Sequence, residues 1–119
     1  MLRRLIWVIC TIGAIGAAAA PATAAEAFIG RWAISPTACS GYGNTLQTAP
    51  LIASDTTVRW YQGACRIGKM YKLGAAVYIQ ARCDGDTTTD TPITLEPRGA
   101  DRLRVTWNRG RTEELRRCN

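Results

Sequence analysis

Between residues 57 and 118, apolar side chains return at every second position in short runs interrupted by Gly, Pro, Asp or Asn. That period restricts the chain to half-buried β-strands. In Arg102-Leu103-Arg104-Val105-Thr106-Trp107 the apolar set Leu103, Val105 and Trp107 takes one face and the polar set takes the other. The same alternation joins Val77, Ile79, Ala81 and Cys83, then Ile93 and Leu95. It leaves Arg82, Thr94, Glu96, Arg102, Arg104 and Thr106 on the wet side. The pattern predicts strands over 28–34, 57–61, 65–71, 77–83, 91–96, 103–107 and 113–118. Turn chemistry separates them at Gly74, at DGDTTTDTP (84–92), at Gly99 and at Gly110. Helix signals are nearly absent. An antiparallel meander of about six to seven short strands that hides one face curls into a small barrel or flattened sandwich, so the expected fold class is all-β.

Upstream of this pattern the chain reads differently. Arg3 and Arg4 precede the uncharged run LIWVICTIGAIGAAAA, and a small-residue stretch, PATAA, follows. That is the order of the three regions of a cleavable secretory signal peptide. The run is short, nearly half of it Ala and Gly, and Pro21 ends it before any stop-transfer charge, so no stable membrane anchor is expected after cleavage. Cleavage after Ala24 or Ala25 fits the small-residue rule. The expected organisation is therefore a signal over residues 1–25 and one disulfide-stapled β domain over residues 26–119, located in the periplasm or secreted. Arg3 and Arg4 leave with the signal, and the remaining 13 Lys or Arg face all 9 Asp or Glu.

A domain of this size buries only a little over roughly 60% of its unfolded surface, and covalent staples are expected. Cys10 lies in the signal, which leaves Cys39, Cys65, Cys83 and Cys118, an even number in an oxidising compartment. Zinc would want close C-x-x-C pairs and histidines, and the chain has neither. Each hairpin reverses the chain, so Cys65 at the start of one strand and Cys83 at the end of the next share a rim. Cys118, three reversals further on, falls at the opposite rim, and a hairpin between the first two strands sets Cys39 near it. The favoured pairing is Cys65 with Cys83 and Cys39 with Cys118; the alternative is Cys39–Cys65 with Cys83–Cys118. The favoured register also sets Arg66 opposite Arg82, a like-charge pair that costs a few tenths of a kcal/mol or more.

The first strand carries Gly30-Arg31-Trp32, which resembles the G-x-W that opens lipocalins, avidins and some small secreted protease inhibitors. In those barrels the Trp plugs one end, so the resemblance implies a barrel. The wider layout, with P-x-x-C at 36–39, C-R-I at 65–67, A-R-C at 81–83 and R-R-C at 116–118, is similar to small bacterial periplasmic four-cysteine proteins. That likeness implies secretion and the stapled fold and carries no activity with it.

Chemistry is restricted as well. The chain has no His, no G-x-S-x-G and no phosphate loop, so nucleophilic and metal catalysis have few candidates. Asp84, Asp86 and Asp90 are the one acidic cluster, and a hydrophilic hairpin tip accounts for them. The expectation is a protein that is not an enzyme and uses no cofactor or metal. The basic side is denser, with seven Arg in the last 22 residues. Arginine in place of lysine suits planar anion recognition, and Arg102, Arg104, Arg116 and Arg117 are the candidate anion-binding residues. A solvated β face is the competing reading. Tyr61 and Tyr78, if exposed beside Arg59 and Arg82, would add a sugar or extended-chain platform. The expected partner is an anionic envelope polymer or an acidic protein surface; export argues against nucleic acid, and nothing in the pattern specifies an oligomeric state. The alternative function is inhibition of a secreted or periplasmic hydrolase of protease or lysozyme type, with the long segment 40–54 as the protruding loop.

Overall fold

The computed structural model describes residues 27–85 and 90–119; the expected signal, residues 1–25, and Asp86 lie outside them. The period-two pattern folds into β1 (Gly30–Ala33), β2 (Leu51–Ala53), β3 (Thr57–Trp60), β4 (Gly63–Leu73), β5 (Ala76–Cys83), β6 (Thr91–Arg98), β7 (Arg102–Trp107) and β8 (Thr112–Arg117). One helical turn, α1 (Pro36–Cys39), follows β1. Each strand pairs antiparallel with its neighbours in chain order, and β8 returns to β1 through Trp32↔Arg117 and Ala33↔Arg116, which closes a barrel. The inner face is the alternating set read from the sequence: Val77 and Ile79, Ile93 and Leu95, Leu103, Val105 and Trp107, with Leu115 and Val58. Trp32, Trp60 and Trp107 are all buried in the same core.

The strand count is eight, above the six or seven expected, and the architecture is a closed barrel without a flattened sandwich. The missed strand is β2. Its Leu51-Ile52-Ala53 is a three-residue apolar run, too short for period two to register, although Leu51 and Ala53 point inward and Ile52 outward. Its hairpin to β3 turns at Ser54, whose Oγ accepts from the backbone N–H of Thr56 and Thr57 at 3.2 and 3.0 Å. In the β7–β8 turn the left-handed backbone falls on Asn108 (φ 50°) and Arg109 (φ 61°), and Gly110 is not among the positive-φ residues. Asn tolerates that region well; Arg does so at a cost.

The disulfides are Cys39–Cys118 and Cys65–Cys83, and Cys65 sits directly opposite Cys83 with Arg66 opposite Arg82. The first pair forms by a route that counting reversals did not contain. The extra strand β2 makes β1 run antiparallel to β8, and the two overlap only at their last residues, Trp32 against Arg117 and Ala33 against Arg116. Pro36 starts α1 with two residues between it and β1, and the turn packs back along that strand, which brings Cys39 to the level of Arg31. Ala33 faces outward yet is buried, and Ala38 of α1 is fully buried. The Arg31 guanidinium donates to the Cys39 carbonyl at 2.8 Å while the Cys118 N–H donates to the Arg31 carbonyl, also at 2.8 Å, so Arg31 brings both cysteines together.

Candidate functional site

Barrel register decides what the C-terminal arginines can do together. On the outer face of β6, β7 and β8, alternate residues align in three cross-strand rows. Thr94, Thr106 and Thr112 form one, and the hydroxyls of Thr106 and Thr112 are 2.9 Å apart. Glu96, Arg104 and Glu114 form the next, and Arg98, Arg102 and Arg116 form the last. Two ion pairs link the last two rows, Arg98–Glu96 along β6 at 3.3 Å and Arg102–Glu114 diagonally across β7 and β8 at 3.5 Å. Exposed pairs of this kind contribute about 0–1 kcal/mol each and leave much of the guanidinium surface free. Arg102 and Arg116 are exposed and adjacent, while Arg104 is half-buried between two glutamates. The arginine row ends at Arg116, which lines an open hollow of about 520 Å³ together with Ser35, Asp101, Asn119 and the Cys39–Cys118 bridge.

Arg117 is not part of this face. It shares the inward parity of Leu115, and its side chain closes the barrel end. Nε donates to the Ala100 carbonyl at 2.9 Å, Nη1 to Ile29 at 3.0 Å and Nη2 to Ala27 at 3.0 Å. The guanidinium carbon lies 4.1 Å from the ring centre of Trp32, whose own Nε1 donates to the Phe28 carbonyl at 2.9 Å. Every guanidinium nitrogen is thus occupied, and Arg117 is a structural plug for Trp32. The alternation that puts Leu115 inside carried this signal. Gly30 completes the plug: a Cβ there would stand 2.6 Å from Arg117 Nη1.

A second basic region lies on the outer face of β3 to β5. Arg59, Arg66 and Arg82 line an open hollow of about 520 Å³ beside the Cys65–Cys83 bridge, with Asp84 and Gly85 at its rim. Arg82 is 3.3 Å from Asp90. Each of these two hollows therefore carries one carboxylate among its described lining residues, Asp84 in one and Asp101 in the other. No group of three His, Cys, Asp or Glu among the described residues is placed to hold a metal ion.

The tyrosines divide differently from the expected platform. Tyr61 packs edge-on against Trp60 at 4.8 Å between ring centres. Tyr78 stacks on Tyr71 at 5.2 Å with the rings 14° from parallel. The 40–54 segment is shorter than expected because β2 begins at Leu51, and it is tied down: Gly43 N–H donates to Thr48 O, Ala49 N–H donates to Thr45 O, and the two Thr hydroxyls are 2.6 Å apart. From this pinned loop Tyr42 stands fully exposed, at 102%. No family model matches the chain, and no curated protein or solved structure matches it either.

Proposed function

We propose that this chain is an exported, disulfide-stapled barrel that binds anionic partners without catalysing a reaction. It would hold envelope polymers or acidic protein surfaces on the outer face of β6 to β8. The observation that carries the reading is the row Arg98–Arg102–Arg116, three like charges set directly opposite one another and ending in a hollow. Like-charge neighbours across strands destabilise a sheet, and a bound anion relieves that repulsion while accepting paired hydrogen bonds from each guanidinium. Two intramolecular disulfides fit an oxidising compartment outside the cytoplasm. The signal over residues 1–25 would deliver the chain there, to the periplasm in particular.

The test is binding of the purified protein to lipopolysaccharide and to peptidoglycan across a salt series, with Arg102→Ala, Arg104→Ala and Arg116→Ala combined. Affinity should fall by about tenfold or more in the triple variant, and the salt dependence should flatten, with unfolding stability changed by less than about 1 kcal/mol. Unchanged affinity and unchanged salt dependence in the triple variant would reduce the arginine row to a solubilising surface.

The inhibitor reading keeps one supporting observation, the rigid loop that presents Tyr42. A fully exposed tyrosine between Gly41 and Gly43 on a hydrogen-bonded loop is the kind of pre-organised aromatic anchor that dominates protein interfaces. Tyr42→Ala would abolish inhibition of a target hydrolase and leave anion binding intact.

A further inference from the structure

β4 is eleven residues long and its neighbour β3 only four. Their register runs from Trp60↔Gly63 to Thr57↔Arg66, and the N–H of Ile67 reaches the Thr56 carbonyl at 2.8 Å. A bulge between Ile67 and Lys69 follows. Beyond it, residues 69–73 pair with β5 alone, and their other side has no strand partner among the described residues. The barrel therefore carries an open edge of five residues, rooted on a sheet in which β5 continues to pair with β6 from Val77 to Ala81. About half of the backbone N–H and C=O groups along such an edge point outward, a template for another strand.

The side chains along this edge are Lys69, Met70, Tyr71, Lys72 and Leu73, with Met70 38%, Tyr71 58% and Leu73 68% exposed. Met70 and Lys72 lie on the inner side, opposite the buried Ile79 and Val77, and Lys69, Tyr71 and Leu73 lie on the outer side. Each side of the edge thus offers a cation and apolar surface. β4 and β5 contain Arg66, Lys69, Lys72 and Arg82 and no acidic residue.

We infer that the open edge of β4 binds an extended acidic polypeptide segment by strand addition. The backbone row supplies affinity, and Lys69 and Lys72, on opposite sides, select a strand that carries a carboxylate on each face. The same charges disfavour a second copy as occupant, because edge-to-edge pairing would bring Lys69 and Lys72 of one chain against those of the other. This site is separate from the arginine row of β6 to β8 and does not depend on it.

The test uses the purified protein with a capped octapeptide of sequence Val-Val-Glu-Glu repeated twice, which carries carboxylates on both faces of a strand, and a second copy of that peptide N-methylated at its four central residues to remove backbone donors from both of its edges. Fluorescence anisotropy should show binding of the first peptide below about 1 mM, and NMR hydrogen exchange should show new protection on alternate amides within 69–73. N-methylation, and the Lys69→Glu, Lys72→Glu double variant, should each weaken binding by about tenfold or more. Equal affinity for the N-methylated peptide, no binding at about 1 mM, or protection confined to β7 and β8 would each overturn strand addition at β4. Dimerisation through β4 without peptide, seen by sedimentation, would overturn the choice of an acidic segment as occupant.

Discussion

Arg117→Ala removes the plug from one end of the barrel, and its cost can be worked from the contacts. Three hydrogen bonds from a charged donor disappear. The bond to Ala27 is part-buried and is worth about 1.5 kcal/mol, while the two exposed ones, whose carbonyls regain water, are worth about 0.5 kcal/mol each. The guanidinium lies 4.1 Å over Trp32, which is 0% exposed, and loss of that stacking adds about 1 kcal/mol. The expected loss is about 3 to 4 kcal/mol, a large fraction of the stability of a small domain and enough to lower Tm by well over about 10 °C. Arg116→Ala, one residue away on the outer face, should cost less than about 0.5 kcal/mol. Urea unfolding of the two variants with disulfides intact, followed by Trp fluorescence, measures both. If Arg117→Ala cost less than about 1 kcal/mol, or no more than Arg116→Ala, Arg117 would be a surface cation and its assignment as a plug would be wrong.

Other outcomes follow from the same contacts. Trp107→Ala should destabilise by about 3 to 5 kcal/mol in chemical denaturation, since Trp107 is buried and packs 5.9 Å from Trp60 between ring centres. Arg109→Gly should raise stability by about 0.5 to 1 kcal/mol, because φ of 61° is strained for Arg and free for Gly; a lower Tm would contradict this. Replacing Cys39 and Cys118 by Ala opens a separation of 79 residues and should cost about 4.5 kcal/mol in the loop-entropy account. Replacing Cys65 and Cys83 opens 18 and should cost about 3 kcal/mol, an order that urea midpoints can check.

Period two and turn chemistry were sufficient to derive the inner face, seven of the eight strands and the all-β class, because an alternating strand with one wet side can bury its apolar residues in only one register. The pairing of Cys65 with Cys83 followed from the same local rule, since a single hairpin brings them opposite. Cys39 with Cys118 was anticipated with a strand missing from the count; the bridge exists because Pro36 starts a helical turn that folds back on β1. The grouping of Arg102 with Arg104 on a wet face was legible from their spacing. Which arginines align with Arg98 and Arg116, and which glutamates sit between them, depended on register across three strands. Arg116 and Arg117 are neighbours in sequence with opposite fates: barrel closure turns one toward solvent and the other onto Trp32. The open edge of β4 is tertiary in the same sense. Composition shows its lysines and tyrosine, but the edge arises because β3 starts only at Thr57, opposite Arg66, while β4 runs on to Leu73. Side-chain alternation is a property of one strand, whereas alignment, closure and overhang depend on where several strands start and stop relative to one another.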